Sequence, residues 1–116
     1  MDASMEVAVE HEGSPLRLEV APGDDDGVVI TLAGELDLAT APELWAAIDT
    51  ALAEGHQRLI LDLSGLGFVD STGLGVFVRA GKELRASGGR LTLRHPGERV
   101  SKLLEITRLQ EVFEIE

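Results

Sequence analysis

The run Arg58-Leu59-Ile60-Leu61-Asp62-Leu63 limits the possible folds more than any other stretch of the chain. It is too short for an ordinary helix and too continuously apolar for a strand with one wet face. It reads instead as a central strand buried on both faces. The Gly-rich segment Ser64 to Gly67 that follows reads as a loop, and beyond Asp70 the apolar spacing becomes that of a helix. A buried strand that feeds a helix finds its next strand alongside, running in the same direction. The predicted class is therefore α/β, a single domain with a mixed, mostly parallel sheet of about four or five strands and helices packed against it.

The neighbouring segments fit that frame. Leu16, Leu18 and Val20 alternate with Arg17 and Glu19, and Val28 to Ala33 is a second strand candidate. Between them Ala21 to Gly27 is a polar turn, which predicts a hairpin. Asp24, Asp25 and Asp26 are consecutive, without the alternate-position ligands of a calcium loop, and read as a solvated turn. Thr40-Ala41-Pro42-Glu43 is a helix start, with Thr40 as cap and Glu43 completing a capping box. That helix runs to about Glu54 with Leu44, Ile48, Ala51 and Leu52 on one face and Trp45 beside it as a packing anchor; Gly55 ends it. A second helix, Thr72 to Ala86, buries Leu74, Phe77, Val78, Gly81 and Leu84 and stops at Gly88-Gly89. Arg90 to Arg94 alternates again. Glu98 to Thr107 is a last helix with Val100, Leu103, Leu104 and Thr107 on one side, and Val112, Phe113 and Ile115 form a tail strand. Residues 1–14 show no sustained periodicity and read as a flexible acidic arm ahead of a domain at 15–116.

Charge narrows the function. A net charge of −11 works against nucleic acid and anionic membranes, both of which require clustered Lys and Arg, and permits a basic protein partner drawn in by long-range attraction. With no tyrosine and aromatic residues at 3%, base-stacking surfaces are disfavoured as well. The absence of cysteine removes disulfides and thiolate metal sites. The N-terminus lacks a basic start and an apolar run, and no segment approaches the ~20 apolar residues of a membrane span. A cytoplasmic location is expected.

The segment Phe68-Val69-Asp70-Ser71-Thr72-Gly73-Leu74-Gly75 carries the most chemistry. It joins the buried strand to the second helix at the carboxyl end of the sheet, where α/β proteins commonly place function. Asp70 or Ser71 can simply cap the helix. Gly73 and Gly75, however, each cost up to about 1 kcal/mol of helix propensity and are expected to leave a low surface around Ser71. A phosphate there would be favoured by the free amides and dipole of the helix start.

Catalytic readings fare worse. A serine hydrolase needs a histidine partner and a nucleophile elbow; the Gly-x-Ser-x-Gly pattern is absent, and His11, His56 and His95 fall in the arm, after a helix end and before Pro96. Asp70-Ser71-Thr72-Gly73 superficially suggests an aspartic protease but has no second copy with which to share a proton. Neither a His-Glu-x-x-His cluster nor a Walker lysine after Gly65 and Gly67 is present. Arg79, Lys82 and Arg85 lie on the outer side of the second helix and read as a solvated face.

Gly34-Glu35-Leu36-Asp37 with Thr40-Ala41, then Leu61-Asp62-Leu63 and Asp70-Ser71-Thr72-Gly73-Leu74-Gly75, resembles the STAS domain, and within it the bacterial anti-sigma-factor antagonists of sporulation and the general stress response. The resemblance spans about residues 16–115. It implies a transcription-regulating, partner-switching phosphoprotein with no cofactor and no catalytic residues. In that family the serine after the aspartate is phosphorylated by the anti-sigma factor, itself a serine kinase; only the unmodified antagonist binds it and frees the sigma factor, and a phosphatase resets the cycle. Motif position then makes Ser71 the phosphoacceptor, Asp37 a contributor to kinase recognition, and Asp70, Thr72, Gly73 and Gly75 partner-binding residues. Thr72 stands where some members carry a second serine and is the weaker acceptor candidate. The alternative implied by the same resemblance is a STAS scaffold or transporter accessory subunit without a phosphorylation cycle.

Overall fold

The computed structural model describes residues 13–109 and 113–116, so most of the predicted arm, His11 and Val112 lie outside the described residues. Strands β1 (Leu16–Pro22) and β2 (Val28–Leu36) are followed by helix α1 (Ala41–Ala53), β3 (Arg58–Val69), α2 (Ser71–Ala86), β4 (Arg90–Arg94), α3 (Gly97–Thr107) and β5 (Glu114–Ile115). They form one five-stranded sheet in the order β1-β2-β3-β4-β5. Only the β1–β2 pair is antiparallel; β2–β3, β3–β4 and β4–β5 are parallel. The predicted class and hairpin are both present, and Asp24–Asp26 lies in the turn between β1 and β2, with Asp25 and Asp26 at positive φ (55° and 62°).

Burial differs from the sequence expectation at the central strand. Leu59, Leu61 and Leu63 are buried, whereas Ile60 and Asp62 are only half-buried. The same alternation runs through β1 (Leu16, Leu18), β2 (Ile30, Leu32) and β4 (Leu91, Leu93), and these side chains share one core with Leu44 and Ile48 of α1, Phe77 and Leu84 of α2, and Val100 and Leu104 of α3. The three helices therefore cover one face of the sheet. The other carries Arg17, Glu19, Thr31, Ile60, Asp62 and Thr92. The high apolar content of β3 reflects Ile60, a tolerated half-buried residue, rather than a second helical layer.

The Gly-rich segment is also not a loop. It belongs to β3, which runs 12 residues to Val69 and absorbs two register shifts against β2, between Thr31/Ala33 and between Gly34/Glu35. Each shift places one extra residue on β3, as a bulge does. Asp62 Oδ1 accepts the Ser64 N–H at 3.0 Å, satisfying a donor that the first bulge turns out of the ladder. Two extra residues restore the original alternation, so Val69, like Leu63, points into the core. Gly34, at φ +98°, lies so close to the Pro15 carbonyl that no side chain fits. At the far edge, β5 is clamped by the Glu116 N–H to Leu93 carbonyl bond at 2.8 Å and by the pairs Arg90–Glu114 at 3.2 Å and Arg94–Glu116 at 2.8 Å.

Candidate functional site

Two strand-to-helix turns meet at one end of the sheet. The Asp70 N–H donates to the Leu36 carbonyl at 3.2 Å, tying the end of β3 to the end of β2. The next residue along each chain segment is Asp37 on one side and Ser71 on the other, so the two motif segments become neighbours.

The cap of α2 is Asp70. Its backbone is extended (φ −109°, ψ −173°) and its Oδ1 accepts the Gly73 N–H at 3.0 Å. Ser71 is thereby released from capping. It is the first helical residue, exposed, and its hydroxyl makes no hydrogen bond among the described residues. No acidic side chain lies in the first turn of α2, so Asp70 is the one carboxylate that answers the positive end of the helix dipole. Thr72 is half-buried beside it.

The two glycines face opposite ways. A Cβ on Gly73 would sit 2.7 Å and 2.8 Å from Leu36 side-chain atoms and 2.8 Å from Val69 Cγ2, whereas one on Gly75 would meet nothing within 4 Å. Gly73 is buried, so the expected low surface around Ser71 is contributed by Gly75 alone. Gly73 instead lets α2 settle onto the strand ends.

Asp37 is half-buried and holds its own turn. Its Oδ1 accepts the N–H groups of Ala39 at 3.0 Å and Thr40 at 3.1 Å, and its carbonyl accepts Ala41 N–H at 2.7 Å. The capping box predicted at Thr40 does not form. Thr40 sits at φ −103°, ψ −14°, so its hydroxyl reaches back rather than forward: it accepts the Asp37 N–H at 2.9 Å and donates to the Glu35 carbonyl at 3.0 Å. Glu43 takes a different donor, the Ser14 hydroxyl, at 3.0 Å.

From Ser71 an apolar groove of about 540 Å³ runs between α2 and the end of α3, lined by Leu74, Gly75, Val78, Lys82 and Leu109. Arg79 on its rim lies 3.8 Å from the centre of the Trp45 ring and pairs with Glu83 at 3.2 Å. Trp45 thus anchors α1 to α2, as expected of a packing residue. Thr107, predicted to face the core, is exposed, and its hydroxyl bonds back to the Leu103 carbonyl at 2.7 Å.

Neither described histidine can serve Ser71. His56 precedes β3 and bonds the Asp26 carbonyl at 2.7 Å, roughly 36 Å from Ser71 by strand rise. His95 lies 3.7 Å from Asp62, roughly 20 Å short of the strand end on the same measure. Asp62 titrates below its ordinary value of 3.8: burial pushes it up, but the Ser64 hydrogen bonds and the charges of His95 and Arg94 outweigh that. Among the described residues no group of acidic and histidine side chains is arranged to hold a metal ion, and no helix is long and apolar enough to cross a membrane.

Sequence reading missed two features here. The Leu63, Leu66, Val69 spacing, interrupted by Gly65 and Gly67, was the available signal for a bulged strand. Exposed Leu38 and Phe68 flank the site and carried no signal at all, since an apolar letter does not reveal which side it faces.

Comparison with known proteins places this geometry. The family model described as "Mlab, STAS domain" matches residues 20–114. The anti-sigma-B factor antagonist of Listeria monocytogenes is 38% identical over 100 residues, covering 86% of this chain and 88% of that protein. Among solved structures, the anti-sigma factor antagonist SpoIIAA in its unphosphorylated form aligns with a TM-score of 0.71 at 28% identity, over 85% of this chain and 86% of that one. The Bacillus cell fate determinant SpoIIAA in its phosphorylated form aligns equally well, at TM-score 0.71 and 29% identity over 85% and 90% of the two chains.

Proposed function

Because this chain belongs to the STAS domain family and is of the anti-sigma-factor antagonist type, we propose that it is a phosphorylation-controlled switch whose modified atom is Ser71 Oγ. The supporting observation is the division of labour at the start of α2: Asp70 caps the helix, which leaves Ser71 exposed and unbonded. SpoIIAA, whose fold this chain shares, is known in both an unphosphorylated and a phosphorylated form.

In the unmodified state the partner is an anti-sigma-factor serine kinase in the cytoplasm, which docks over Ser71, Thr72, Gly75 and the turns of Asp37 and Asp70 and so releases its sigma factor. The kinase supplies ATP. Ser71 Oγ attacks the γ-phosphorus, an Oγ–P bond forms, the bond to the bridging oxygen breaks and ADP departs, while the hydroxyl proton passes to a base on the kinase. The chain itself contributes an acceptor rather than a catalyst. Hydrolysis of the phosphoserine by a phosphatase restores the binding form.

Phosphorylation adds about −1.5 to −2 charge without dismantling the fold, since helix N-terminal amides favour an anion. A kinase carboxylate ~4 Å away would then be repelled by about 4 kcal/mol at an effective dielectric near 20. Half of that exceeds a tenfold loss of affinity. Added bulk beside open Gly75 acts in the same direction.

The test is a reaction with the kinase and ATP, followed by intact mass and site mapping. One added phosphate at Ser71 is expected. Ser71→Ala should bind but resist modification, and Ser71→Glu should bind at least about tenfold more weakly. Equal binding by the two variants contradicts the repulsion mechanism. Binding without any phosphate transfer favours a scaffold.

A further inference from the structure

We infer that Leu38 and Phe68 form a paired apolar anchor that fits an apolar pocket rimmed by Lys and Arg on the anti-sigma-factor kinase. This rests on the switch reading above and specifies the chemistry of its docking surface. Leu38 is 74% exposed and Phe68 43% exposed, two of the four large apolar side chains that the described residues leave open. Single exposed apolar residues are ordinary. Leu38 lies two residues beyond the end of β2 and Phe68 one residue before the end of β3, and the Asp70–Leu36 hydrogen bond ties those two strand ends together beside Ser71.

The backbone at both is held in place before any partner arrives. Leu38 sits at the crown of a turn bracketed by Asp37 Oδ1, which takes the N–H groups of Ala39 and Thr40, and by the Thr40 hydroxyl, which takes the N–H of Asp37. Thr40 is itself 1% exposed, so the turn is locked from below. Phe68 pairs with Glu35 immediately after the second register shift of β3, and that shift sends it to the face the helices leave uncovered. A backbone fixed in advance in this way pays little ordering entropy on binding. Glu35 pairs with Phe68, Asp37 immediately precedes Leu38 and Asp70 follows two residues after Phe68, three carboxylates in a molecule of net charge −11. An apolar centre with an acidic border calls for an apolar pocket whose border is basic on the side of Glu35, Asp37 and Asp70, apart from the kinase carboxylate that faces Ser71.

The experiment compares Leu38→Ser and Phe68→Ser with Ile115→Ser, whose residue is 44% exposed on the edge strand β5 and serves as a control matched to Phe68 in exposure. The probe is the anti-sigma-factor kinase that phosphorylates the wild-type chain, with association and dissociation rates measured at two salt concentrations. Each anchor variant should raise Kd about tenfold or more through faster dissociation, with unchanged melting temperature, association rate and salt dependence. Ile115→Ser should match wild type. Anchor variants that bind within about twofold of wild type overturn the anchor while leaving the switch intact. Wild-type chain that is neither bound nor modified by any anti-sigma-factor kinase overturns the switch reading and the anchor together.

Discussion

Gly73 and Gly75 are two residues apart in one helix turn yet answer to different demands. Gly73 packs within van der Waals reach of Leu36 and Val69, so Gly73→Ala should destabilise the fold by about 1–3 kcal/mol through overpacking. Gly75 has open space at its Cα, and Gly75→Ala should stabilise α2 by up to about 1 kcal/mol. Denaturant midpoints of the two variants check both signs. Kinase affinity supplies the functional half: Gly75→Ala should bind more weakly although it folds more firmly, because the partner backbone then meets a methyl group. A variant at Gly75 that gains stability and keeps full affinity would mean that the glycine serves nothing at the interface. The pattern DSTGLG was legible in the sequence, but its two glycines look alike there. Helix geometry alone sets them about 200° apart, but the neighbour that fills the space at Gly73 is Leu36, which is distant in the chain and reaches it only after β2 and β3 pair.

At the scale of elements, the helix ends show where local rules hold and where they yield. α1 and α2 end as punctuated, near Gly55 and Gly88, both at positive φ. α3 ends instead on Arg108 in the left-handed conformation, φ 58° and ψ 33°, with an exposed side chain. An L-residue pays roughly 1–2 kcal/mol there, and glycine recovers most of it less about 0.5–1 kcal/mol of extra unfolded-chain entropy. Arg108→Gly should therefore raise stability by up to about 1 kcal/mol, a few degrees in melting temperature, read by thermal unfolding. The start of α1 shows the reverse case. Thr40 and Glu43 have the spacing of a capping box, but Asp37 satisfies the same turn from upstream, and Ser14, 29 residues away, claims Glu43. The upstream bonds win because Thr40 is 1% exposed, and pairing its buried hydroxyl with the Asp37 N–H and the Glu35 carbonyl avoids the desolvation cost of leaving it unpaired.

For the molecule as a whole, the acidic surface matters over distances larger than any hydrogen bond. At −11 it should accelerate encounter with a basic partner, and the association rate should fall steeply as salt rises from about 0.05 to 0.5 M while dissociation changes little. A salt-independent association rate, measured by stopped flow, would remove steering from the account. The order and kind of every described element, the hairpin and the position of Ser71 at a helix start were all set by the amino-acid sequence alone. Periodicity, glycine and proline punctuation and the Asp-Ser-Thr-Gly block are local signals, readable one window at a time. Three things were decided only by tertiary structure: the single covered face of the sheet, the bulged rather than looped Gly-rich stretch, and the meeting of Leu38, Phe68, Asp37 and Ser71 at one end. Each depends on which strand lies beside which and in what register, and pairing between residues more than 30 positions apart leaves no mark in any one window.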